Sequence, residues 1–270
     1  MVFEPDTSRP DIATYGADDI ADIVMVQTVD GLSLEGWLFS LARIDNISDV
    51  IFETPANARE IEQLIRHEGV APLIVFYHGN ARHHGNRTQD ARRLMALGFD
   101  VLLASYRGYG GNDGEPTEEG LYNDARAWAE WALARQSQAE QPIIFYGESL
   151  GTAVASKMAA EYEAQALILE TPMTSVADVG AERYPYFPVR QLTKDKFDTL
   201  SRMSLIEEPI LILGAGKDTV VPTEHSRILK NAAISPAEIL IIEDAYHSNL
   251  HEFVIYDFID TFLKRHITQN

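Results

Sequence analysis

Gly147-Glu148-Ser149-Leu150-Gly151 lies between the apolar run Pro142–Tyr146 and a helical stretch from Thr152 to Tyr162. A serine flanked in this way, at a strand-to-helix turn, has the setting of a nucleophile. The turn must be tight. A side chain at either glycine would collide with the neighbouring strand or helix, so both positions are reduced to hydrogen. Ser149 then projects above the sheet, where the free N–H groups of the helix start favour developing negative charge.

A serine hydroxyl attacks well only when a base takes its proton. Of the eight histidines, His247 is the best placed, five residues after the strand pattern Glu238–Ile242 and just before the last helical pattern. The base needs an acid behind it to hold one tautomer and stabilise the imidazolium. Asp218 is the first candidate, following strand Ile210–Leu213 through Gly214-Ala215-Gly216-Lys217; Glu170 and Asp244 are the rivals. Attack on an acyl carbon creates an oxyanion that must meet fixed donors. The N–H of Leu150 is one. In His78-Gly79-Asn80-Ala81, after strand Leu73–Tyr77, Asn80 is the expected second donor and Ala81 the next choice.

Other chemistry finds less support. His83-His84 are adjacent in sequence and lack a carboxylate at matching spacing, so no metal is expected. Gly108, Gly110 and Gly111 lack the Lys-Ser/Thr of a phosphate-binding loop, and Arg107 is expected to pair with a carboxylate instead. Absence of cysteine excludes disulfides and thiolate chemistry in this chain. A net charge of -19 repels a phosphate backbone, which argues against nucleic acid and mildly against anionic membranes. No apolar run approaches a membrane span and no secretory start is visible, so a soluble cytoplasmic protein without membrane insertion is expected.

These residues need a scaffold. Residues 1–22 are polar and aperiodic and read as an N-terminal arm, leaving 23–270 as one domain. Ile23–Val29 and Leu34–Leu41 alternate around Asp30-Gly31, a hairpin signal. A short helix is expected over Ala58–His67. From Leu73 onward, strands at 73–77, 100–106, 142–146, 166–169, 210–213 and 238–242 alternate with helices at about 87–97, 117–135, 149–162 and 222–232, and a last helix ends the chain. That rhythm means right-handed crossovers and a mostly parallel, doubly wound sheet covered on both faces. The segment at about 172–208 breaks it, with Pro172, Pro185 and Pro188 and an aromatic cluster, and reads as a small lid over the strand ends, where open α/β sheets bind ligands. Tyr184, Tyr186 and Phe187, with Met173, either line an acyl pocket there or pack as the lid's own core.

Taken together, the chain resembles the Bem46-like branch of the α/β-hydrolases, with the ABHD13- and ABHD17-type proteins. The resemblance rests on His78-Gly79-Asn80-Ala81, Tyr106-Arg107-Gly108-Tyr109-Gly110, Gly147-Glu148-Ser149-Leu150-Gly151, Glu170-Thr171-Pro172-Met173, Glu182-Arg183-Tyr184-Pro185, Asp218 and His247, and spans about residues 24–262. The order Ser149, Asp218, His247 is the one this fold uses. The resemblance implies a serine hydrolase with these residue roles but is not specific for substrate; cleavage of carboxylic esters of small to medium acyl groups through an acyl-serine intermediate, with no cofactor, is the leading expectation. Acyl-thioesterase, monoacylglycerol lipase and a proline-releasing aminopeptidase, with Glu182 as amine clamp, are the alternatives, and a non-catalytic binding module is the reading from another class. Oligomeric state is not legible.

Overall fold

A computed structural model describes residues 3–44, 71–139 and 141–267. The helix expected over Ala58–His67 lies outside them. In chain order the strands are β1 Glu4–Pro5, β2 Ala21–Gln27, β3 Ser33–Phe39, β4 Leu73–Tyr77, β5 Ala81–Arg82, β6 Asp100–Ala104, β7 Ile143–Glu148, β8 Ala166–Glu170, β9 Ile210–Ala215 and β10 Ala237–Ile242. The helices are α1 Thr88–Met95, α2 Glu118–Ala139, α3 Leu150–Ala159, α4 Val176–Arg183, α5 Val189–Leu192, α6 Glu224–Ala232 and α7 Ile255–His266.

Eight strands form one sheet in the order β10-β9-β8-β7-β4-β6-β3-β2. From β10 to β6 every neighbouring pair is parallel. The β2–β3 hairpin closes the other edge, with β3 antiparallel to both β2 and β6. The sequence dictates this division. β4 and β6 are buried along their whole length, as strands covered on both faces must be, whereas β2 alternates between buried Val26 and exposed Ile23 and Met25. Two apolar cores result, one on each face. Trp128, Phe145 and Val154 belong to the first, and Trp37, Ile144 and Phe262 to the second.

The N-terminal arm is tied down rather than loose. β1 pairs in parallel with β5, and Phe3 packs edge-on against Phe197. Arg107 meets two carboxylates, as its sequence context suggests: buried Asp124 at 2.7 Å and Asp30 of the hairpin turn at 2.7 Å. That pair fastens the β6 exit to α2. The insertion between β8 and β9 contains α4, α5 and a single helical turn at Leu200–Arg202. Among the described residues, no helix is long and apolar enough to cross a membrane.

Candidate active site

The five residues 147–151 carry β7 into α3 with almost no room. A Cβ at Gly147 would sit 2.3 Å from the carbonyl oxygen of Gly151, and one at Gly151 only 2.0 Å from the carbonyl oxygen of Tyr77. Helix start and neighbouring strand are thus the two obstacles that the glycines avoid. Ser149 itself has φ 52° and ψ -115°, a left-handed backbone that a side-chain-bearing residue seldom adopts. Three hydrogen bonds hold the strained residue: Ser149 N–H donates to the Glu170 carbonyl at 2.8 Å, and the Ser149 carbonyl accepts from Thr152 N–H at 2.9 Å and from Thr152 Oγ1 at 2.6 Å.

His247 leaves the loop after β10 and places Nε2 2.9 Å from Ser149 Oγ. Its Nδ1 lies 2.7 Å from Asp218 Oδ2. The other carboxylate oxygen of Asp218 accepts the N–H groups of Val220 and Val221, both at 2.8 Å. Asp218 is therefore fixed as an acceptor, which sets the His247 tautomer: Nδ1 carries the hydrogen and Nε2 faces Ser149 with its lone pair. The rivals are engaged elsewhere. Asp244 is exposed and pairs with Lys217 at 2.6 Å. Glu170 takes its hydrogen bond from the Tyr146 hydroxyl.

Gly79, Asn80 and Ala81 share a cavity with Ser149 and His247. The Asn80 side chain is turned away, accepting from Tyr109 Oη at 3.1 Å and from the Glu4 N–H at 3.2 Å, so both the arm and the Tyr106–Gly110 turn steady this loop. Leu150 opens α3, and a first helical residue has no intrahelical acceptor for its N–H.

The cavity holds about 560 Å³, and its wall combines charged and polar side chains with an equally large apolar part that includes Phe76, Ala81 and Val220. Arg87 forks onto Glu148 at 2.6 and 2.8 Å, and Glu148 also accepts weakly from the Gly79 N–H at 3.4 Å. Through these bonds the residue before Ser149 is stapled to the loop that carries Asn80. Burial pushes the Glu148 carboxyl up, but the Arg87 charge and hydrogen bonds outweigh it and hold the group below its ordinary range. Asp90 accepts from Tyr256 Oη at 2.6 Å and is shifted upward, chiefly by burial.

Glu170 is pushed up to about 8, first by burial and then by repulsion from Glu148 and Asp90. It stays protonated in the folded protein near neutral pH but ionises at about 4.5 when unfolded. A raised carboxyl of this kind stabilises fully below pH about 4.5, and that contribution is lost as pH rises to about 8. Glu170→Gln removes the ionisation while keeping an acceptor for Tyr146. The variant is expected to gain stability relative to the native chain across that window, by roughly 4 kcal/mol at its upper end. Urea melts of both proteins through the same pH range check it.

Four residues expected near the acyl group lie elsewhere. Met173 is 6% exposed and belongs to the core. Tyr184, Tyr186 and Phe187 are exposed, at the turn between α4 and α5, and do not line the cavity. Glu182, the expected amine clamp, faces His225 at 3.4 Å and is also outside the cavity. Ala81 alone of the expected pocket residues is in its wall. Sequence reasoning missed the Arg87–Glu148 pair and Glu170's role. One signal was present: a carboxylate inside the serine motif, at a buried strand end, requires a cationic partner. His83 and His84 do not converge on a common point. The former contacts Tyr15 and Asp6, and the latter packs edge-on to Trp37.

A family described as serine aminopeptidase, S33, matches residues 69–194. Uncharacterized protein Rv2307c of Mycobacterium tuberculosis is 35% identical, over 89% of this chain and 78% of its own. Human alpha/beta hydrolase domain-containing protein 17B is 30% identical, over 82% of this chain and 76% of its own. The esterase Pf2001 of Pyrococcus furiosus has the same fold, with TM-score 0.73 at 17% identity, covering 98% of this chain and 100% of that one. The chain belongs to the α/β-hydrolase superfamily, in the branch of the alpha/beta hydrolase domain-containing proteins, and the sheet is the mostly parallel one of that fold.

Proposed function

We propose that this chain is a serine hydrolase that cleaves small carboxylic esters through an acyl-serine intermediate. The observation that carries the reading is the continuous hydrogen-bonded line Ser149 Oγ, His247 Nε2, His247 Nδ1, Asp218 Oδ2. As Ser149 attacks the carbonyl carbon, its proton passes to His247 Nε2, and Asp218 stabilises the imidazolium that forms. The carbonyl oxygen becomes an oxyanion held by the N–H groups of Leu150 and Asn80. Collapse of the tetrahedral species expels the alkoxide, which takes the proton from His247 and leaves as alcohol. Water, deprotonated by the same imidazole, then attacks the acyl-serine and releases the carboxylic acid. No metal or organic cofactor takes part.

The charged groups in the cavity wall favour small acyl groups. Phe76, Ala81 and Val220 are apolar parts of its wall, but the Arg87–Glu148 pair shares that wall, and a long acyl chain would desolvate it. A series of p-nitrophenyl esters tests the reading. Turnover is expected to peak at acyl chains of about two to six carbons and to fall beyond about eight, since a longer chain must lie against the charged part of the wall. A peak at longer chains would transfer the assignment to a lipase or acyl-thioesterase. Faster cleavage of aminoacyl p-nitroanilides than of esters would transfer it to an aminopeptidase, as the acidic side chains of the cavity could hold a substrate amine.

A further inference from the structure

The aromatic residues displaced from the active site leave an unexplained surface. Tyr184, Tyr186, Phe187 and Leu192 are 54%, 96%, 66% and 70% exposed, all within one turn and the short helix α5 that follows it. Isolated exposed apolar residues need no explanation, but four gathered at one projecting turn mark a contact surface. The turn is built rather than slack. Phe187 N–H donates to the Tyr184 carbonyl at 3.1 Å, and Pro185 and Pro188 restrict the backbone on either side. The rings are thus held outward, with little ordering left to do on contact.

Charge identifies the partner. Over the whole chain acids outnumber bases, 41 to 22. Residues 183–196 reverse that balance: Arg183, Arg190, Lys194 and Lys196 stand against Asp195. Arg190 is taken by Asp178 at 2.8 Å, and Glu182, just before the segment, faces His225. Among the described residues, Arg183, Lys194 and Lys196 enter no ion pair. Exposed rings flanked in sequence by cations without an ion pair suit the boundary of an anionic lipid layer, where tyrosine sits at headgroup depth and each cation meets negative surface potential. A symmetric contact with a second copy would instead set these cations against themselves.

We infer that the α4–α5 turn is a peripheral docking surface for anionic lipid, with Tyr186 and Phe187 entering the headgroup region and Arg183, Lys194 and Lys196 lying against lipid phosphates and carboxylates. It does not require a membrane-spanning element, and the overall negative charge confines contact to this face. The insertion departs from β8 directly after Glu170, which lines the cavity of Ser149, so docking would bring that rim of the sheet toward the lipid surface.

Co-sedimentation of the full chain with vesicles decides the matter, independently of any hydrolytic activity. Vesicles of phosphatidylcholine containing about one-third phosphatidylserine should bind at least about tenfold more protein than phosphatidylcholine alone, and about 0.5 M salt should release it. Tyr186→Ser/Phe187→Ser, and separately Arg183→Glu/Lys194→Glu/Lys196→Glu, should each lower binding at least tenfold with an unchanged thermal melt. Should one variant melt early, the other decides. Native protein that remains in the supernatant with both vesicles, or variants that bind as the native chain does, overturns the inference. So does a Tyr186→Ser/Phe187→Ser variant that turns a dimer into a monomer on size exclusion while vesicle binding is unchanged, because the surface would then be a seat for a second copy.

Discussion

Ser149→Ala is expected to lower kcat on a short p-nitrophenyl ester by about five orders of magnitude, with KM changed less than about threefold. The asymmetry follows from what the hydroxyl does. It contributes little to holding the ester in the ground state, yet without it the acyl-serine cannot form. His247→Ala should lose about as much, and the double variant Ser149→Ala/His247→Ala should fall no further than either, since the two side chains act as one unit. Asp218→Asn keeps the shape but removes the charge, and an amide that turns its NH2 toward Nδ1 would favour the wrong tautomer; about four orders of magnitude should go. Side chains merely close in space, without shared chemistry, would show losses that multiply. Steady-state kinetics on the four variants separates the two patterns.

Gly151→Ala is expected to destabilise the fold by more than about 4 kcal/mol, the exceptional end for a single methyl group. Its Cβ would fall 2.0 Å from the carbonyl oxygen of Tyr77. β4, to which Tyr77 belongs, is hydrogen-bonded to β6 on one side and β7 on the other, so it cannot withdraw without breaking two ladders. A domain stable by about 5–15 kcal/mol has little left after such a loss. Gly31→Ala provides the contrast. That residue also has a positive φ, of 89°, but nothing lies within 4 Å of a new Cβ, so the cost should be the local backbone strain of about 1 kcal/mol. Urea unfolding of both variants measures the difference, and comparable values for the two would contradict the packing argument.

Much of this was legible from the chain because each candidate site residue follows a strand whose pattern is unambiguous. β4 matches the expected 73–77 run, β7 and β9 extend it by two residues into their glycines, and the hairpin lies within two residues of its expected bounds. Ser149, Asp218 and His247 each leave the end of a parallel strand, and a parallel sheet brings such ends to one rim. Local pattern could not supply side-chain direction in an aperiodic stretch. Tyr184-Pro185-Tyr186-Phe187 has no period to mark an inner face, so its aromatic content suggested a pocket wall where the structure has an outer surface. Nor could it supply pairings between distant segments. Arg87 and Glu148 are 61 residues apart, and β1 meets β5 across most of the arm and hairpin. The lining of the cavity depends on those long-range meetings, which is why the aromatic residues expected at an acyl pocket lie elsewhere, whereas the strand ends that carry Ser149, Asp218 and His247 could be read locally.

The central claim is that the Ser149 hydroxyl is the nucleophile, activated by His247. A fluorophosphonate added to folded protein, followed by peptide mass mapping, tests it most directly. One equivalent should attach at Ser149, and His247→Ala should abolish the label. An unlabelled native protein, or a label on Ser248 in the same cavity with Ser149 untouched, would contradict the account.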